Sequence, residues 1–425
     1  MSSEPDAPAT PTASGRALAQ PGFTPFWAGQ ALSQLGFQFE GLAMAVLAVQ
    51  LLHATEAQMG FLNAANTAAF LLVGLIAGAW VDRWRKRRVM IVADLVRAAL
   101  VLAIPALWFA GVLTFWHLVV VAAVVGIATV FFDVAYQSYV PILVHAEAVS
   151  DANGKLESTA QVARLGGPAL AGVLLRVVSA PVLLVANAVG FLASAATLAV
   201  VRDDEVPPPA ADRRPLATEI REGLAFVFAQ PLLRHLLAAT GLSNFGSTIV
   251  FTLQAILVLR ILGLDAALFG LVMSLGAVGG LVGSVAAARL GERFGEGPTL
   301  RAVLAASGLG SLLVPASAFA PAAALPMLVA STLVFSFCVV VYNVIQVSAR
   351  QRLCPPRLLG RMNASIRFVV WGIMPLAALL AGALGSVLGT VGALWVGAAL
   401  NALSVLPFLG RFGRMRTLPR TAVGA

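Results

Sequence analysis

Glu40, Asp94 and Asp133 stand inside long apolar runs of this 425-residue chain, beside neighbours such as Phe39, Ala93 and Phe132 that supply no obvious partner for a charge. In a lipid bilayer an ionisable side chain near the midplane costs about 2.5–3.5 kcal/mol on insertion scales, so each is a candidate for function. A carboxyl that is sealed from water in one state and wetted in another can take up a proton and release it, which is what proton exchange requires. Glu40, near the middle of its run, and Asp133 are the proton-coupling candidates. The residues leave two other roles open for Glu40: direct contact with a cationic substrate, or a hydrogen-bonded structural role.

Arginines accompany these acids. At 1.5 Å per residue, Asp133 and Arg164 both fall roughly 10 Å below the same surface, so they could pair as a gate or as a permanent brace. Asp94 and Arg97 are three apart on one helical face and can neutralise each other. Arg367 finds no acid within the apolar runs of its own half, so either its partner lies across the halves or it snorkels to the headgroups.

Elements that position these groups follow from the hydropathy. Hydrophobic residues make up 59% and charged ones 11%, far from the roughly 25% charged residues of a soluble domain. Apolar runs fall at 26–52, 58–81, 89–112, 116–140, 159–178 and 181–201, then at 235–259, 264–288, 298–320, 325–349, 362–388 and 391–410, each long enough for a membrane helix. The expected fold is therefore all-α with twelve transmembrane helices in two six-helix bundles, 23–201 and 232–410. A disordered start at 1–22, a cytoplasmic linker at 202–231 with an amphipathic helix, and a basic tail at 411–425 complete the division.

Basic residues cluster in alternate loops, as in Arg83 to Arg88, and this asymmetry places both termini in the cytoplasm. The formal charge of +9 is then a topology signal, and no nucleic-acid partner is expected. Cys338 and Cys354 give no disulfide framework, and the four histidines lack metal-ligand spacing. No phosphate-binding loop of the G-x-x-x-x-G-K-[ST] kind occurs, so neither an enzyme nor a cofactor is expected.

The halves repeat one another. Asp133 and Asn153 are spaced as Asn343 and Asn363 are, and Pro168 and Pro375 each sit in a small-residue run. Two like bundles joined by a linker can rock about a shared site.

Gly78-Ala79-Trp80-Val81-Asp82-Arg83-Trp84-Arg85-Lys86-Arg87-Arg88 resembles the signature loop of the major facilitator superfamily, G-x-x-x-D-R-x-x-R-R. Ala163-Arg164-Leu165-Gly166-Gly167-Pro168-Ala169-Leu170-Ala171-Gly172 is similar to that superfamily's antiporter motif, with two alanines in place of glycines. Within it, the chain looks like the drug:proton antiporter type that includes macrolide and enterobactin exporters.

The resemblance implies proton-coupled export of an amphipathic drug or secondary metabolite by a monomer of the plasma membrane, with substrate, protons and lipid as its partners. An importer, a lysolipid flippase and a non-transporting receptor are the alternatives. It implies gating roles for Gly78, Asp82, Arg83, Arg87, Arg164, Gly167, Pro168 and Gly172. Asp82 would latch against the start of the eleventh span. In the second half Ala288 is expected where the acid would be, so that the latch is one-sided. Gln34, Gln38, Tyr136, Asn244, Gln254, Asn343 and Gln346 would then face the substrate.

Overall fold

The computed structural model describes residues 17–81, 83–201, 216–355 and 358–419. Helices account for almost all of them: α1 (Phe23–Val46), α2 (Glu56–Val81), α3 (Lys86–Phe109), α4 (Phe115–Leu143), α5 (Val149–Leu174), α6 (Ala180–Val200), α7 (Leu216–Ala229), α8 (Pro231–Ile256), α9 (Ala266–Phe294), α10 (Glu296–Ser311), α11 (Leu313–Ala316), α12 (Ala324–Leu353), α13 (Leu359–Gly372) and α14 (Met374–Leu403). Lipid offers backbone groups no hydrogen bonds, and a helix satisfies its own internally.

Nine stretches among the described residues are long and apolar enough to cross a bilayer, and one of them, Arg361–Phe408, holds two crossings. They divide at Gly389, whose φ of 73° is accessible to glycine without steric cost. The eleventh crossing is itself jointed between α13 and α14, where Pro375 occupies the first turn of α14 and cannot donate to the preceding turn. With α2, which carries no charge beyond Glu56, and α5, whose first half bears Asp151, Lys155 and Glu157, the crossings number twelve, α11 continuing α10.

The repeat extends to backbone detail. Both α1 and α8 end in a π-helical turn, Leu47–Leu51 and Leu257–Ile261. After each, the chain reverses through a residue of positive φ, His53 at 48° and Gly263 at 62°. In this register Gly60 corresponds to Gly270 and Gly172 to Gly382. Asp133 corresponds to Asn343, but Pro168 corresponds to Ala378 and not to Pro375. Because α2 and α9 run unbroken, the same register carries Gly78 onto Ala288 and Asp82 onto Glu292. The acidic position of the second loop is therefore filled by Glu292, a correction to the one-sided latch expected from Ala288.

Call the end bearing the α1–α2, α5–α6 and α8–α9 turns the far pole, and the opposite end the terminal pole. One apolar core joins the two halves at the far pole, where Leu42 and Leu47 pack in the same cluster as Leu253, Leu257 and Phe269. Toward the terminal pole it divides. Phe26, Tyr139 and Leu198 belong to a first-half cluster, and Leu233, Tyr342 and Phe408 to a separate second-half cluster. The molecule is a wedge, sealed at one pole and split at the other.

Two flanking segments pack against the bundles. Within the start thought disordered, Ala17–Ala19 form a 3-10 turn, and the Ala17 amide donates to Asp151 Oδ2 at 2.7 Å. The tail folds back on the α9–α10 junction, where Glu296 N–H donates to Arg416 O at 2.9 Å and Gly297 N–H to Met415 O at 3.1 Å. The linker helix α7 packs on α13 and α8, and Glu222 pairs there with Arg361.

Candidate functional site

Between the two halves lies a cavity of about 1110 Å³. Glu40 of α1, Asp133 of α4, Asn244 and Gln254 of α8, and Asn343 and Gln346 of α12 all line it. Gln34, Gln38 and Tyr136 are not among its lining residues. Gln38 lies two residues before Glu40, roughly 200° around the helix, and it packs instead at Gly167, where an added Cβ would sit 2.5 Å from its own. Tyr136 stacks on Phe132 with ring centroids 6.1 Å apart and lies 5.9 Å from Phe26. Gln34 is half-buried on α1.

Glu40 accepts a hydrogen bond from Asn187 Nδ2 of α6 at 2.6 Å. Behind it, Asp94 and Arg97 form a buried ion pair on α3. The guanidinium is held between the rings of Phe132 at 4.2 Å and Phe191 at 4.3 Å, a placement that favours a cation in an apolar setting. Arg97 lies within electrostatic reach of Glu40, Asp94 and Asp133 alike. Among the described residues three carboxyls thus share one buried cation, and Asp133 also feels a charge from across the cavity.

That charge is Arg367, which feels Asp133 without forming an ion pair with it. Its guanidinium lies 5.2 Å from the ring of Phe70 on α2 and 4.6 Å from that of Trp371. Arg367 therefore reaches across the halves, one of the two outcomes its sequence context allowed. Asp133 and Arg164 do not pair: Arg164 is exposed, and α5 packs on α1 and α9 more than on α4. The sequence reading missed Arg350, Asn63, Asn66 and Asn401, which also line the cavity. For Arg350 a signal existed, a charge within an apolar helix, but its place near the helix end read as an ordinary loop cation.

Contacts that close the far pole are of two kinds. Polar ones include Arg176 to Asp265 at 2.7 Å, Arg260 to Val49 O at 3.0 Å and Ala54 O at 2.8 Å, Thr390 to Glu56 at 2.7 Å, and Asn63 to Thr252 at 2.6 Å. The Asp265 carboxyl is held below the usual carboxylate range by the Leu268 amide at the start of α9 and by Arg176.

The others are crossings of small residues. A Cβ on Gly172 would lie 2.7 Å from both Ala266 O and Ala267 Cα, and one on Gly382 would lie 3.0 Å from Ala57 Cα and Glu56 O. Pro168 O lies 2.1 Å from the Cβ position of Gly270, and Ala378 O lies 2.7 Å from that of Gly60. The two crossings, α5 on α9 and α14 on α2, are equivalent under the repeat.

Other candidate gating residues are placed as follows. Asp82 lies outside the described residues, and Gly78 is described only as part of the α2 backbone. Arg83 is exposed. Arg87 caps the last turn of α6 by donating to Leu198 O at 2.8 Å and Ala199 O at 2.9 Å.

The Major Facilitator Superfamily model matches residues 26–368 and, in a second alignment, 236–423. Macrolide efflux protein A of Streptococcus pyogenes is 28% identical over 207 residues, 48% of this chain and 50% of that protein, so the match spans about half of that relative's length. Multidrug efflux pump Tap of Mycobacterium tuberculosis (strain ATCC 25618 / H37Rv) is 27% identical over 346 residues, 78% of this chain and 80% of that one. Among solved structures, a bacterial homologue of the iron transporter ferroportin superposes with a TM-score of 0.71 at 19% identity, covering 91% of this chain and 98% of that one. The nucleoside transporter NupG superposes with a TM-score of 0.73 at 11% identity, covering 92% and 98%.

Proposed function

The chain belongs to the Major Facilitator Superfamily, and from that premise we propose that this membrane transporter exports an amphipathic organic compound in exchange for protons. Its central cavity alternates between the two sides of the plasma membrane. The basic loop residues of the terminal pole, such as Arg83, Arg85 and Arg88, support a cytoplasmic setting for that pole and for both termini. The wedge is then the cytoplasm-open state.

The observation that carries the reading is the cavity-facing pair Glu40 and Asp133, which share Arg97 with Asp94. One buried cation balances one of three carboxyls. The remainder depend on water, on protons or on Arg367, whose distance from them changes as the halves rock. Opening the cavity to either side changes the hydration of Glu40 and Asp133, so conformation and protonation are linked. A proton moving down a membrane potential supplies about 2.3 kcal/mol per 100 mV, enough for tens-fold accumulation of a neutral substrate.

Export rather than import is supported by the printed names of both relatives, which are efflux proteins.

The test is dye transport in proteoliposomes with an imposed pH step. Proton-driven flux is expected from the native chain and is lost in Glu40→Gln, while dye binding persists. Unchanged flux in Glu40→Gln would remove Glu40 from the coupling mechanism, and flux indifferent to the pH step would end the antiport reading.

A further inference from the structure

The charges around the cavity are segregated by half. Among the described lining residues both carboxylates, Glu40 and Asp133, come from the first half, and both guanidiniums, Arg350 and Arg367, from the second. The Arg350 side chain makes no ion pair or hydrogen bond among the described residues, and its Nε is buried without a partner. Two further lining atoms on that wall, Gln346 Oε1 and Asn401 Nδ2, are buried and unpartnered as well. The Arg367 guanidinium lies beside the rings of Phe70 and Trp371, at 5.2 and 4.6 Å from their centroids, and lines the cavity.

A half-buried guanidinium without a counter-charge is costly, and its planar fork matches a carboxylate in bidentate geometry. A purely cationic amphiphile would meet two like charges on this wall. An amphiphile carrying both signs would satisfy both walls at once.

We propose that the cavity takes an organic zwitterion, its carboxylate against the second-half wall that carries Arg350 and Arg367 and its cationic group toward Glu40 and Asp133, with its apolar body against rings such as Phe70, Phe251 and Phe335. The proposal rests on the reading of this cavity as the transport site. It narrows the substrate from any amphipathic compound to one with an anionic group.

Two matched dyes test it. Rhodamine B carries a cationic xanthene and a free carboxylate, and its ethyl ester is the same dye without the anion. Binding of each to the purified full-length chain in nanodiscs is measured by fluorescence anisotropy. The native chain is expected to bind rhodamine B about tenfold more tightly than the ester, the size of one charge-assisted contact. Arg350→Gln with Arg367→Gln should abolish this preference and strengthen ester binding, a gain that misfolding does not produce. Arg350→Lys with Arg367→Lys should keep most of the preference, and Arg289→Gln, on an exposed part of α9, should leave both affinities unchanged.

Equal affinity for the two dyes, failure to bind either, or a preference that survives the double glutamine variant overturns the proposal. Carboxylate-selective binding without transport under an imposed pH step overturns the export reading and leaves the anion site standing.

Discussion

Arg176 at the end of α5 and Asp265 at the start of α9 meet at 2.7 Å and tie the two halves together at the far pole. The pair is half-exposed, with side chains 59% and 48% accessible, so its worth is that of a surface ion pair, about 0.2–1 kcal/mol. Asp265→Asn should therefore shift the population toward the far-pole-open state by no more than about fivefold. Spin labels on Val177 and Phe319 would read the distance change. Since the Asp265 carboxyl is held below its ordinary range, its contribution is present above about pH 4 and fades as acid brings the pH through the lowered value. Loss of the contact on raising the pH from 5 to 7 would contradict this sign.

Glycines at the crossings divide by what they face. Gly172→Val places side-chain atoms against Ala266 O and Ala267 of the other half, whereas Gly166 has nothing within 4 Å of its Cβ position. The first substitution should abolish transport by holding the far pole apart while each bundle stays folded, and Gly166→Ala should transport normally. Circular dichroism and the same pair of spin labels separate a wedged molecule from an unfolded one. The repeat adds a stricter expectation: Gly382→Val should reproduce the Gly172→Val phenotype from the opposite crossing.

Asp94→Asn leaves Arg97 buried among Phe132 and Phe191 with its nearest counter-charge removed. Breaking one side of a buried pair costs about 3–5 kcal/mol, and a fall in thermal stability in detergent should report it. Replacing both partners, Asp94→Leu with Arg97→Met, should restore much of that stability and still fail to couple protons, because Glu40 and Asp133 lose the cation they share. Full proton-driven flux in the double variant would show that Arg97 serves packing alone.

Arg87 holds the last carbonyls of α6, in its own half. Arg87→Ala should cost about 0.5–1.5 kcal/mol of stability through the lost bonds to the Leu198 and Ala199 carbonyls. The ratio of far-pole-open to far-pole-closed molecules should stay as it was. A shifted ratio at unchanged stability would restore a gating role to this residue.

Hydropathy is a local property, and the number of crossings and the break near Gly389 are written in it, while the equivalence of Asp133 with Asn343 is written in residue spacing. The resemblance of the loop after Gly78 to a known signature carried the family in the same way, because a basic cluster at a helix end needs only neighbouring residues to be recognised. Repeat register beyond short matches was less secure: Pro168 looked like the partner of Pro375 until the π turns and the close approaches at Gly60 and Gly270 fixed Ala378 in that place.

Which residues meet in the cavity could be decided only by packing. Successive residues turn about 100° around a helix, so Glu40 and Gln38 look away from each other, and the tilt of α1 against α5 and α6 selects which of them is wet. Arg367 and Phe70 belong to different halves and touch only because α2 runs on past α14 to pack against α13. Arg350, a residue of ordinary basic character by sequence, becomes a cavity group because the two halves share one core at one end and none at the other.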